Sequence, residues 1–93
     1  MRVVNLYKEK YTHYIGRANP RLGLAGSELA NPFVIGQNGD RETVILKYDK
    51  YIRKNKKLLK LIDKLPDDAV LGCYCKPKSC HGDVIVRIKK ERK

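Results

Sequence analysis

The chain has 93 residues, a length that suits one compact domain, and we predict a single domain over residues 1–93. Its composition, 42% hydrophobic and 33% charged, is typical of a globular protein and argues against disorder. No apolar run approaches the ~20 residues of a membrane span, and the first residues lack the apolar centre of a signal peptide. We therefore expect no membrane partner and a cytoplasmic location, and nothing in the sequence indicates an oligomeric state.

The first half of the chain predicts two short strands followed by a long loop. Val3–Tyr7 is short and rich in β-branched residues, and Tyr14–Arg17 is a second candidate strand. The stretch from residue 16 to residue 39 holds five of the seven glycines and two Asn-Pro pairs. It predicts an ordered loop over residues 18–39, with a helical turn near Ser27–Ala30. Phe33–Ile35 is an apolar segment that we expect to pin the loop to the core.

The second half predicts helices on either side of a buried strand. Asp40 is a good N-cap for a first helix, and Asn55 can cap a second helix that Pro66 ends. Ala69–Tyr74 is a continuous apolar run of the kind found in parallel sheets, and Ser79 can cap a last helix. The predicted fold is a small single-domain α/β protein, with three to four strands and about three helices packed on the sheet.

Charge is unevenly distributed along the chain. It carries 21 Lys and Arg residues against 10 Asp and Glu residues, a net charge of +11. Six basic and four acidic residues lie in residues 1–46, whereas fifteen and six lie in residues 47–93. Such a surplus favours an anionic partner, a nucleotide or a nucleic acid, although lysines at helical spacing can equally form a solvated helix face. We expect residues 88–93 to form a basic, frayed tail.

All three cysteines lie within eight positions, next to a histidine, and this cluster permits three interpretations. First, Cys73, Cys75, Cys80 and His81 are a chemically complete tetrahedral set for zinc, although Cys-x-Cys and an adjacent Cys-His pair are unfavourable ligand spacings. Second, Cys80 near a helix N-terminus predicts a lowered thiol pKa and a nucleophile, with His81 or Asp83 as acid or base. The same helix start can instead bind a phosphate. Third, the cysteines are small core residues, with a Cys75–Cys80 disulfide as a variant.

Four motifs resemble a known family when they are taken together. They are Tyr14-Ile15-Gly16-Arg17, Asn31-Pro32-Phe33-Val34-Ile35-Gly36, Gly39 with Arg41-Glu42, and Cys73-x-Cys75-x₄-Cys80-His81-Gly82-Asp83. This series resembles domain of unknown function 4326, a family of short phage, viral and prokaryotic proteins. The resemblance implies that the loop motifs and the Cys/His string belong to one unit, without an assigned activity. A viral source would place the protein in the host cytoplasm. The chain departs from the family at Glu28-Leu29-Ala30, where members commonly carry Lys-Trp-Gly.

These features lead to three functional hypotheses. The first is a site for a phosphorylated ligand, built by the loop and the Cys73–Asp83 segment, in which Cys80 and His81 lie near the ligand and no chemistry is assigned. Tyr14, Arg17, Asn31 and Arg41 are its ligand-binding candidates on the loop side, although a surface ion pair, a turn and solvent exposure explain Arg17, Asn31 and Arg41 equally well. The second is a zinc-stapled interaction module without catalysis. The third is a protein that binds nucleic acid through charge alone.

Overall fold

Three short parallel strands form one sheet, in which the last strand of the chain lies between the first two. This description is from a computed structural model and covers residues 1–92. The sheet and three helices confirm the predicted small α/β fold. In chain order the elements are β1 (Arg2–Asn5), β2 (His13–Tyr14), a 3₁₀ turn (Pro20–Leu22), α1 (Arg41–Arg53), α2 (Lys56–Lys64), β3 (Val70–Cys73) and α3 (His81–Glu91).

Asn5 explains why both β1 and β3 are shorter than predicted. Its Oδ1 accepts a hydrogen bond from the Tyr7 amide at 2.9 Å, which turns the chain out of β1. Its Nδ2 donates to the carbonyls of Tyr74 and Lys76, at 3.3 and 2.9 Å, just beyond the end of β3. One amide side chain therefore holds both turns, and β3 ends at Cys73 rather than at Tyr74.

The predicted N-caps of the first two helices are confirmed, whereas that of the third is wrong. The Asp40 side chain accepts the Thr43 amide at 2.8 Å, and the Asn55 side chain accepts the Leu58 amide at 3.2 Å. The third helix begins one residue later than a Ser79 cap would give, and Cys80 is its N-cap. Sequence alone favours Ser79 because serine is the better intrinsic cap.

The two faces of the sheet are covered differently. Val3 and Leu71 are paired in register and lie on one face, where the N-terminal turn of α3 packs. Gly82 of that turn lies directly against Val3 and Ile15. On the opposite face the Tyr11 ring lies over Gly72. The helices thus bury one face of the sheet, and this placement brings the start of α3 to the end of β3.

The loop of residues 18–39 is held to the core by Leu29. Leu29 is buried, and its carbonyl accepts a hydrogen bond from the buried hydroxyl of Tyr48 in α1 at 2.6 Å. The expectation that Phe33–Ile35 pins the loop is wrong for Ile35, which is 49% exposed. A turn at Ser27–Ala30 is present, since the Ala30 amide donates to the Ser27 carbonyl at 3.1 Å. The loop therefore follows a defined path beside α1.

The lysine-rich segments lie on the surface. The lysines at helical spacing in residues 50–64 are all exposed. The basic tail continues α3 as far as Glu91, and Arg92 forms a bidentate ion pair with Asp63 at 2.7 Å. Lys93 lies outside the described residues. Within residues 1–92, no helix is long and apolar enough to cross a membrane.

Candidate functional site

A cavity of about 400 Å³ opens at the carboxyl end of the sheet, where β3 gives way to α3. Its walls come from residues 14 and 16–19 after β2, from loop residues 31 and 33–35, and from the first turns of α1. Residues 73–75 and 79–81 form the remaining side. Pockets that hold small molecules in proteins span roughly 300–1,000 Å³. The volume therefore suits a small-molecule ligand.

Tyr14 and Tyr74 form one wall of the cavity. Their phenol oxygens are 3.0 Å apart, and the rings meet edge to face with centroids 6.0 Å apart. The Tyr14 hydroxyl also donates to the Arg17 carbonyl, and the Asn19 side chain donates to the Tyr74 hydroxyl at 2.7 Å. The Tyr14 ring approaches Gly16 so closely that any Cβ at residue 16 would overlap the phenol. Burial, with the Tyr74 contact, raises the pKa of Tyr14, so its hydroxyl stays protonated.

Arg17 crosses the loop and lines the cavity. Its Nε and Nη2 donate to the Asn31 carbonyl at 3.1 and 2.9 Å, and Nη2 also donates to the Phe33 carbonyl at 3.0 Å. The Asn31 side chain accepts the Phe33 amide at 2.9 Å and donates to the Val44 carbonyl at 3.3 Å. Both predicted ligand-binding residues therefore line the cavity, and both also hold the loop in shape.

Arg41 lies in the first turn of α1 and also lines the cavity. Its Nη1 donates to the Ser79 carbonyl at 2.9 Å, which ties α1 to the segment before α3. Among the ion pairs of residues 1–92, none involves Arg17 or Arg41. None of the described residues that line the cavity is an Asp or a Glu. Two guanidinium groups therefore lie at the cavity wall without an ion-pair partner among the described residues.

Cys73 and Cys80 meet at the inner end of the cavity. Their sulfurs are 3.4 Å apart, and each residue is only 2% exposed. The pairing follows from the fold, because Cys73 ends β3 on the face that α3 covers and Cys80 is the N-cap of α3. The Cys75–Cys80 disulfide, one variant of the third interpretation, is not formed, because all three cysteines are free thiols. The sulfur next to Cys80 is that of Cys73.

The expectation that Cys80 has a lowered pKa is wrong, and Cys73 takes that place. The pKa of Cys73 is lowered to about 6, above all by the hydrogen bond from the Cys80 thiol. Burial raises this pKa, and hydrogen bonds from the backbone amides of Lys76 and Cys75 lower it further. Donation of the thiol hydrogen bond and burial raise the pKa of Cys80. Because the two sulfurs are adjacent and buried, the pair loses its first proton more readily than its second, and the remaining proton is shared between them.

His81 lies at the start of α3 and lines the cavity. Its Nε2 donates to the Ile15 carbonyl at 2.7 Å, and its ring packs edge-on against Tyr48 with centroids 5.0 Å apart. Burial lowers the pKa of His81, so the ring is neutral near pH 7. With Nε2 bearing the proton, Nδ1 is the basic nitrogen. His81 can therefore accept a proton through Nδ1.

Asp83 follows His81 by two residues in α3 and does not line the cavity. Its carboxylate accepts the Cys80 amide at 3.1 Å and the Lys76 ammonium at 2.5 Å. Asp83 therefore caps α3 and pairs with a lysine, while its predicted role as acid or base stays a prediction.

The predicted zinc ligands come together only in part. Cys73, Cys75, Cys80 and His81 all line the cavity, but the one sulfur–sulfur contact described is that of Cys73 with Cys80. Within residues 1–92, no group of three or more His, Cys, Asp or Glu side chains is arranged to hold a metal ion. The zinc site stays a prediction that elemental analysis of the purified protein can test.

Sequence reasoning missed several residues of this site. Tyr74 was not among the candidate site residues, yet its ring forms a cavity wall. Asn19 and Ser79 were interpreted only as turn and cap residues. Successive side chains point to opposite faces of a sheet only inside a strand. Because β3 ends at Cys73, Tyr74 and Cys75 do not follow this alternation. Placing Tyr74 at the cavity from sequence would have required the prediction that β3 ends at Cys73.

The lowered pKa of Cys73 leads to a pH prediction. We expect thiolate ultraviolet absorbance to rise with a midpoint near pH 6 in the wild-type protein, and this transition to disappear in Cys73→Ser. Because the folded-state pKa lies below the unfolded value, Cys73 adds stability as pH rises from about 6 to about 9 and loses it as pH falls through 6. The assignment of the low pKa to Cys73 would be contradicted if the first rise in thiolate absorbance had its midpoint near pH 9. It would also be contradicted if the rise near pH 6 remained in Cys73→Ser.

Comparison with known proteins places the chain in one family. No curated protein and no solved structure matches it. The family model described as Domain of unknown function (DUF4326) matches residues 3–91, which span the sheet except for Arg2, the loop, all three helices and every residue that lines the cavity. The chain belongs to the DUF4326 family.

Proposed function

We propose that the cavity binds a small phosphorylated ligand of the nucleotide class. The observation that carries the proposal is the pair of guanidinium groups, Arg17 and Arg41, in a cavity whose described lining contains no carboxylate. An anion that enters such a cavity gains charge-assisted hydrogen bonds without displacing an existing ion pair. The start of α3 lies at the same cavity, since Cys80 and His81 are among its lining residues.

The remaining walls suit the rest of a nucleotide. Tyr14, Tyr74 and Phe33 offer aromatic surface, and Asn19 and Asn31 add side-chain amides to the cavity lining. Aromatic rings provide stacking surface for a base, worth roughly 1–3 kcal/mol per base in other proteins. A phosphate toward the arginines and a base toward the tyrosines would use both sides of the cavity. No reaction is assigned to this site.

The direct test is calorimetric titration of the wild-type protein with a nucleotide and its matching nucleoside. We expect each nucleoside monophosphate that binds to do so at least about 10-fold more tightly than its nucleoside, because the phosphate supplies charge-assisted bonds. Inorganic phosphate is the probe for the anion alone. Equal affinity for nucleotide and nucleoside, or no binding of either at millimolar concentration, would overturn the proposal.

The charge of the chain supports a different candidate, binding of nucleic acid through the exposed lysines of residues 50–64. Such binding loses affinity steeply between 50 and 200 mM salt, by roughly 10³–10⁵ for six to ten phosphate contacts. A ligand held by two arginines in a cavity has a much shallower salt dependence. Tight oligonucleotide binding with a steep salt slope, and no mononucleotide binding, would favour this candidate over the cavity.

A further inference from the structure

The thiol pair at the inner end of the cavity has a chemistry that nucleotide binding does not use. Cys73 and Cys80 are seven positions apart, and both are held by regular structure. Cys73 pairs with Asn5 in the sheet, and Cys80 is the N-cap of α3. Their sulfurs are already 3.4 Å apart. A disulfide bond needs about 2.0 Å, so the sulfurs have only about 1.4 Å to close.

A small oxidant has a route to these sulfurs through the cavity. Both cysteines are among the residues that line the cavity, and 2% of each is exposed to solvent. A hydroperoxide as small as hydrogen peroxide can enter a space of about 400 Å³. Because Cys73 and Cys80 lie on two anchored elements, their thiols stay close enough to react with each other in a second, intramolecular step.

We propose that Cys73 and Cys80 are a redox-active thiol pair, which hydroperoxides oxidise to a reversible disulfide at the inner end of the cavity. The Cys73 thiolate attacks one peroxide oxygen, the O–O bond breaks, and Cys73 sulfenic acid and hydroxide form. The Cys80 sulfur then attacks the sulfenic sulfur, releasing water as the S–S bond forms. In total two thiols lose two electrons and two protons, and one hydrogen peroxide becomes two waters.

The bond would join the end of β3 to the start of α3 around residues 74–79. The short segment contains Tyr74, Cys75 and Ser79, which line the cavity. Oxidation would therefore replace two thiols by an uncharged cross-link and fix that segment. The cavity becomes a site of reversible modification whether or not a nucleotide binds there.

The test uses the wild-type chain, reduced, freed of reductant and exposed to hydrogen peroxide near equimolar amounts. We expect the intact mass to fall by about 2 Da, the mass of two hydrogens, and dithiothreitol to restore it. Trypsin cleaves after Lys78 and separates Cys80 from Cys73 and Cys75. Non-reducing peptide mapping should therefore show residues 65–78 linked to residues 79–87.

Matched variants identify the partner of Cys80. Cys75→Ser should still lose about 2 Da, whereas Cys73→Ser and Cys80→Ser should not. The wild-type mass and peptide map stand even if a variant fails to fold. The proposal is overturned if the wild-type mass stays constant or only gains oxygen. It is equally overturned if Cys75→Ser abolishes the loss while Cys73→Ser retains it.

Discussion

Replacing Arg41 with glutamine is expected to weaken nucleotide binding about 10- to 100-fold while folding is nearly unaffected. A hydrogen bond to a charged group contributes roughly 1.5–3 kcal/mol, which corresponds to that loss of affinity. In the absence of ligand, Arg41 makes one described hydrogen bond, to the Ser79 carbonyl at 2.9 Å. Its loss at a solvent-accessible position should cost less than about 1 kcal/mol of stability. Calorimetric titration and urea denaturation measure the two effects separately.

Arg21→Gln is the matched control for Arg41→Gln. Arg21 is exposed on the 3₁₀ turn and does not line the cavity, yet its removal changes the net charge by the same amount. We expect Arg21→Gln to retain wild-type affinity. If both variants lose affinity equally, the ligand responds to overall charge and not to the cavity. If neither variant loses affinity, Arg41 does not touch the ligand.

Arg17 is a less selective probe than Arg41. Its guanidinium makes three hydrogen bonds to the carbonyls of Asn31 and Phe33, so its removal also loosens the loop. An affinity loss in Arg17→Gln therefore combines a lost ligand contact with a changed cavity wall. Replacing Arg17 is therefore expected to lower thermal stability as well as ligand affinity. Arg41 gives the interpretable result.

The features that local sequence determines were predictable, and those set by distant contacts were not. Asp40 and Asn55 cap helices through amides three residues away, so the sequence predicts them directly. The end of β3 depends on Asn5, which lies about seventy positions earlier and bonds to the Tyr74 and Lys76 carbonyls. No local pattern predicts that contact. Likewise, the contact of the Cys73 and Cys80 sulfurs joins the end of β3 to the start of α3, whereas the disulfide variant considered from the sequence joined Cys75 to Cys80.

The cavity residues were predictable as a group but not in their electrostatic state. Arg17, Asn31 and Arg41 were identified from a turn-rich loop and the first turn of a helix, and all three line the cavity. That both arginines lack a carboxylate partner could not be predicted, because it depends on where the few acidic residues lie. Ion pairs with Arg53, Lys76 and Arg92 hold several of them elsewhere. No Asp or Glu is therefore among the described residues that line this cavity.

Gly82→Ala is expected to destabilise the fold by about 1–3 kcal/mol, although alanine is the better helix former. A Cβ at residue 82 would lie 2.9 Å from both methyl carbons of Val3 and from the Ile15 Cδ1. Val3 is fixed in β1, and its short β-branched side chain cannot change rotamer to avoid the new Cβ. We therefore expect α3 to move away from the sheet. For a domain of this size, each kcal/mol lowers Tm by roughly 4–8 °C. Urea and thermal denaturation measure the change.

A double-mutant cycle with Val3→Ala tests the physical cause. Val3→Ala removes the two methyl groups that the new Cβ would meet, so the cost of Gly82→Ala should fall by at least about 0.5 kcal/mol in that background. Lys90→Ala, on the exposed side of α3, is the control for helix propensity and should change stability by less than about 0.5 kcal/mol. Equal costs in both backgrounds, or a stabilising Gly82→Ala, would show that close packing does not require glycine there. A cost that Val3→Ala relieves would mean that Gly82 sets how closely α3, and with it Cys80, approaches the sheet and Cys73.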